Sequence, residues 1–234
     1  MANWYLQGTW NHGQVAFIAT IGAFCFIILA LWRTPVLLPF KLITVFLHEA
    51  SHATACKLTC GKVEGMEVNV NEGGVTHTRG GKQWFILPAG YLGSSFWGMV
   101  LVVASTNYLT LRIAAGLLCA ALVVVLVIAK NWFLRFLCLG FLAFLILIWV
   151  LQELTIIKIL RYVILFMGVM NGLFSIYDIY DDLISRRVNS SDAEKFAQLC
   201  PCPCNGVAWG VIWGFFSLIF LLAAVYLGLV NLSS

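Results

Sequence analysis

Apolar residues run through this chain in long blocks, and polar residues separate the blocks instead of striping them. With roughly 20 apolar residues as the length that crosses a bilayer, blocks at about 15–32, 35–58, 84–106, 112–129, 132–151, 156–180 and 207–230 predict about seven helical spans. Only Lys130 and Asn131 part the fourth from the fifth, so these two form a tight helical hairpin or one of them is a shorter embedded segment. Two polar stretches interrupt the series. In the first, 61–82, Met66, Val68 and Val70 alternate with polar residues, Gly73-Gly74 follows, and Val75-Thr76 resumes, which predicts a β-hairpin at about 63–78. The second is a polar loop at 181–205 with mixed charges, ending in Cys200-Pro201-Cys202-Pro203-Cys204. The expected fold is an all-α polytopic membrane protein of about 6–7 transmembrane helices with a small β-hairpin after the second span. Residues 1–234 form a single integral membrane domain whose last span is at about 207–230.

Composition narrows the class further. The chain is 62% hydrophobic and 10% charged, which excludes an ordinary soluble domain. Its net charge of +4 is spread over short loops with no basic patch, so no nucleic-acid partner is expected and the lipid bilayer is. The first apolar run starts near Val15 without a charged segment ahead of it and is expected to be a retained span. Cys25, Cys119 and Cys138 lie in apolar spans, where a cysteine acts as a small hydrophobe. Grouping the N-terminus, the hairpin and the 181–205 segment on one side gives that side nine of the 14 basic residues, which predicts a cytoplasmic N-terminus in a multi-pass protein.

One apolar block carries chemistry. In "TVFLHEASHATACKL", 44–58, the order His48-Glu49-Ala50-Ser51-His52 puts two imidazoles four residues apart, on one helical face and within reach of one ion. Glu49 is offset from that face and can reach a water beside the ion. This is the spacing of zinc peptidases, with Zn2+ as the expected cofactor. By composition it arises by chance in roughly one chain in several hundred. Ionisable groups inside a span are expensive and are functional by default. Two histidines leave a catalytic zinc short of its usual three protein ligands. Along "MNGLFSIYDIYDDLI", Asn171, Ser175, Asp178 and Asp182 form one polar stripe. Asp178, the acid nearest the membrane interior, is the expected third ligand; Asp181 and Asp182 are expected at the interface or in supporting positions.

Four stretches resemble the site-2 protease family of intramembrane zinc metalloproteases, in its compact branch: "FLHEASHA", "GGVTHTRGG", "LPAGYLGSSFWG" and "YDIYDDLISRRVNSSDA". The resemblance implies zinc ligands His48 and His52, general base Glu49, and a small-residue turn beside the active site that includes Gly90. It places the catalytic core at about 35–185, with Asn171, Ser175, Asp181, Asp182 and Gly90 as candidates for binding substrate or supporting the site. The chain departs from the family pattern where Asn171 is followed by no proline and Asp178 by Ile179. The implied activity is cleavage of peptide bonds within or near transmembrane segments of membrane-protein substrates. A transmembrane substrate must unwind before its carbonyls can be attacked, and the hairpin offers a strand edge for the unwound segment or serves as a structural plug. The alternative is a catalytically inactive relative, a membrane scaffold binding metal or client helices. A metal transporter ranks last, because the ionisable groups gather at one point instead of along a path. Cys200, Cys202 and Cys204 lack zinc-knuckle spacing and fit juxtamembrane S-palmitoylation if the segment is cytoplasmic.

Overall fold

The computed structural model describes residues 10–69, 73–156, 158–180 and 191–233. Its long helices are α1 (His12–Leu31), α2 (Leu38–Leu58), α3 (Gln83–Ala104), α4 (Tyr108–Ile128), α5 (Trp132–Leu154), α6 (Ile159–Tyr180) and α8 (Gly206–Ser233). A short helix, α7 (Asp192–Leu199), lies within the segment expected to be a loop. Strands β1 (Lys62–Val68) and β2 (Gly74–Arg79) form the antiparallel hairpin, from Lys62 opposite Arg79 to Val68 opposite Gly74, with a one-residue shift in register between Val63 and Gly65.

Among the described residues, six helices, α1, α3, α4, α5, α6 and α8, are long and apolar enough to cross a membrane, so this is an integral multi-pass protein. The block expected to be the second span, α2, is different in kind. Pro35 opens a short 3-10 turn, and Pro39 lies in the first turn of α2, where a missing N–H costs nothing. Phe40 then packs edge-on to Phe166, two turns into α6, and to Phe141 and Phe144 in the middle of α5. The helix therefore starts partway along the bundle. Every residue from Lys41 to Glu49 is buried, so protein and not lipid surrounds its polar positions.

This changes the chain's path. Phe24 meets Phe166, and Trp32 stacks on Tyr177, so α1 ascends alongside α6. Helix α2 ascends in the same direction, because His52 reaches Ile86 near the start of the antiparallel α3. The first turn of α1 is tied to the last turn of α8: Asn11 Nδ2 donates to the Leu232 carbonyl at 2.7 Å, and Gln14 Nε2 to that of Leu229 at 3.0 Å. Both ends of the described chain thus lie at one end of the bundle, with the base of the hairpin and α7 at the other. The side count above had grouped the N-terminus with the hairpin; the structure separates them.

Helix α3 is the hub. A Cβ on Gly98 would come within 3.0 Å of the Gly172 backbone nitrogen, so the α3 and α6 backbones touch there and only glycine fits. Polar pairs fix the register. Ser94 Oγ donates to Asn171 Oδ1 at 2.8 Å, Asn171 Nδ2 returns a short hydrogen bond to the Ser94 carbonyl, and Ser95 Oγ meets Ser217 Oγ of α8 at 2.7 Å. The hairpin folds back along α2. One edge of β1 is occupied, since Lys130 N–H donates to the Met66 carbonyl at 3.0 Å and Asn131 Nδ2 to that of Val68 at 2.6 Å.

Candidate metal centre

The i, i+4 spacing on α2 brings the His48 and His52 Nε2 atoms to 3.1 Å from each other. His52 Nδ1 lies 2.6 Å from the Ile86 carbonyl. A carbonyl only accepts, so Nδ1 carries a proton, and in the neutral imidazole Nε2 presents its lone pair. Tyr91 of α3 stands edge-on to His48 with ring centroids 4.8 Å apart, holding that ring by packing. A Cβ at Gly90 would lie closer than 3.0 Å to both Nε2 atoms, so the small-residue turn puts bare backbone against the imidazoles.

The carboxylate set between these imidazoles belongs to Asp192. Its Oδ2 lies 3.1 Å from His48 Nε2 and 2.9 Å from His52 Nε2. Asp192 is the first residue of α7, directly after Ser191, whose hydroxyl caps the helix by accepting from Glu194 N–H at 3.3 Å. Phe196 anchors the far side of α7 among Trp84, Trp209 and Trp213.

Other expected residues fall in different places. Asp178 is half-buried in the last turn of α6, and Asp192 occupies the position expected for it. Asn171 and Ser175 face α3: Asn171 binds Ser94, and Ser175 Oγ donates to the Tyr91 carbonyl at 3.4 Å, so both brace the helix that carries Gly90. Asp181 and Asp182 lie outside the described residues. Glu49 is buried beside the histidines, and β2 grips it. Thr76 Oγ1 donates to Glu49 Oε2 at 2.6 Å, and a Cβ on Gly74 would collide with the Glu49 side chain. The sequence reading passed over Asp192 and Thr76. Ser191-Asp192-Ala193-Glu194 has the spacing of a helix-opening capping box, with Phe196 three residues beyond Ala193, a signal of α7.

His48, Glu49 and His52 each bring a ligand atom to within 4.8 Å of the others, a grouping that can hold a metal ion. The donor set fits one. His52 Nε2 and Asp192 Oδ2 are both acceptors turned to one buried point with His48 Nε2, and converging acceptors call for a cation. Their separations of 2.9 to 3.1 Å are close to the roughly 3.3 Å expected between neighbouring donors of a tetrahedral ion with 2.0–2.1 Å bonds.

Fold and site together define a multi-helix membrane protein with a buried His-Glu-x-x-His cluster at its centre. The chain belongs to the Peptidase M50B-like family, whose model matches residues 21–224, in accord with the four stretches that resemble site-2 proteases. No curated protein and no solved structure matches it significantly.

Proposed function

We propose that this protein is an intramembrane zinc endopeptidase, with His48, His52 and Asp192 holding the metal and Glu49 as general base. The observation that carries the reading is the contact of one Asp192 oxygen with both histidine Nε2 atoms. Zinc, when bound, supplies a Lewis acid that polarises a carbonyl and acidifies water. Glu49 takes the proton from the attacking water and delivers it to the leaving amine. Thr76 keeps the Glu49 carboxylate aimed, and Ile86 keeps the proton of His52 on Nδ1. The departure from the family pattern at Asp178 matters less on this reading, because the carboxylate comes from α7.

Substrates are transmembrane segments of membrane proteins. Residues 130–131 cover part of the outer edge of β1, leaving the outer edge of β2, beside Glu49, as the edge to which an unwound segment adds. Of the nine basic residues of the more basic side, seven lie in the hairpin, the α4–α5 turn and 181–205, the other two are Lys57 and Arg135 at adjoining helix ends, and none comes from residues 1–14. With the N-terminus at the opposite end, the positive-inside rule makes the hairpin end cytoplasmic and puts both termini across the membrane from it.

The test is metal analysis and cleavage together. Wild-type protein should hold about one zinc per chain and cut a transmembrane substrate in proteoliposomes. A His48→Ala, His52→Ala variant should do neither, and Glu49→Gln should hold zinc without cutting. Equal zinc in the double variant overturns the metal assignment, and zinc-bound wild type that cuts no substrate points to the scaffold alternative.

A further inference from the structure

The segment from Cys200 to Cys204 joins α7 to α8 and takes no part in the metal centre. It is fixed at both ends: Cys200 N–H donates to the Phe196 carbonyl at 3.0 Å as the C-cap of α7, and Asn205 Oδ1 accepts from Ala208 N–H at 2.9 Å to open α8. Cys200 and Cys202 each precede a proline, which disfavours the helical region; Cys200 has φ −81° and ψ 127°, and the chain then bends through residues 201–203. The Cys200 and Cys202 Sγ atoms lie 2.7 Å apart, although all eight cysteines are free. A disulfide bond is about 2.05 Å long, so the sulfurs need close by only about 0.7 Å. Both side chains are half-buried, within reach of a small reagent.

We propose that Cys200 and Cys202 are a redox-active dithiol that low-molecular-weight disulfides, such as oxidised glutathione, convert to a disulfide across the α7–α8 turn. The Cys202 thiolate attacks one sulfur of the reagent, forming a mixed disulfide and releasing the first reagent thiolate. The Cys200 thiolate then attacks Cys202 Sγ, forming the Cys200–Cys202 bond and releasing the second. The protons lost from the two cysteines end on the two released thiols, and the cysteines are oxidised as the reagent is reduced. The environment suits this order. A hydrogen bond from Cys200, with a weaker one from Cys204, draws the Cys202 thiol down, while their bonds to Cys202 push Cys200 and Cys204 up. The flanking prolines hold the second thiol beside the first, so the closing step is intramolecular at high effective concentration. A three-thiol metal cage fits less well. Alternate cysteines separated by prolines lack the two-residue spacing of zinc-knuckle ligands.

The test uses the full-length protein in detergent, equilibrated with reduced and oxidised glutathione at a series of ratios, then alkylated and peptide-mapped. One Cys200–Cys202 disulfide per chain should form, reverse with dithiothreitol, persist in Cys204→Ser and be lost completely in Cys202→Ser. The wild-type map decides even if a variant fails to fold. The proposal is overturned if both thiols are alkylated at every ratio, if a glutathione adduct on Cys202 persists unresolved, if either cysteine carries an acyl thioester as isolated, or if the reduced chain holds a soft metal that Cys202→Ser releases.

Discussion

Thr76 Oγ1 and Glu49 Oε2 lie 2.6 Å apart, tying the hairpin to the acid of the His-Glu-x-x-His motif. The hydroxyl has one proton and two acceptors in range, since the Glu49 carbonyl is also 3.0 Å away. Both acceptors belong to Glu49, so either hydrogen bond holds β2 against the same residue of α2. A hydrogen bond to a charged group contributes about 1.5–3 kcal/mol. Thr76→Val keeps the shape without the donor and should lower kcat by roughly tenfold to a hundredfold. Zinc content should be unchanged, and Thr76→Ser should restore most of the rate. Loss of zinc in the valine variant would place Thr76 in the metal's support instead.

The third ligand is the sharpest point at which structure and sequence part. Removing a supporting partner of a metal ligand typically costs about 10 to 100-fold in affinity, and removing a ligand costs more. Asp192→Ala should therefore weaken zinc binding beyond that range, while Asp178→Ala stays within or below it. Titration against a competing chelator measures both. A severe loss in Asp178→Ala with a mild one in Asp192→Ala would return the ligand to α6.

That divergence has a physical origin. Long apolar blocks and the Gly73-Gly74 turn make the helices and the hairpin legible, because lipid and strand pairing act on local composition. His48, Glu49 and His52 are legible because one helix turn alone brings them together. Asp192 reaches the histidines from 140 residues away in sequence, on an 8-residue helix that no span ruler detects. An acid inside or beside a span is the natural candidate only where a ligand crosses the membrane with its helix. Instead, a short helix outside the spans, anchored by Phe196 among tryptophans, sets the Asp192 carboxylate against the histidines. The path of α2 was hidden for a related reason: a block of the right length reads as a crossing, and only packing shows that Phe40 begins in the middle of α5.

Gly90 tests whether the space over the histidines is needed. Alanine is about 1 kcal/mol better than glycine in a helix interior, so Gly90→Ala has no local reason to disrupt α3. Its methyl group would nevertheless stand closer than 3.0 Å to both Nε2 atoms, and His52 is held in place by Ile86 and cannot swing clear. Side chains or backbone must shift to admit it, so the variant should melt lower even in the metal-free state and lose zinc binding by at least about tenfold. Unchanged zinc affinity would mean that the imidazoles turn toward the ion from another side.

The parallel course of α1 and α2 makes a prediction about topology that does not depend on catalysis. Asn11 and Gln14 bind carbonyls at the end of α8, and Thr106, just past the end of α3, accepts from Asn231 Nδ2 at 3.1 Å, so α1 begins where α3 and α8 finish. At the opposite end, a Cβ on Gly81 would crowd Thr59, joining the base of the hairpin to the end of α2. With six crossings, epitope tags at the two termini should be reached by antibody from the same face of sealed vesicles. Proteolysis or labelling at 191–199 should occur from the other face. Had α2 crossed the whole bilayer as a seventh span, the two termini would lie on opposite faces, and a terminal tag accessible from the same face as α7 would reject the arrangement in which α2 begins inside the bundle.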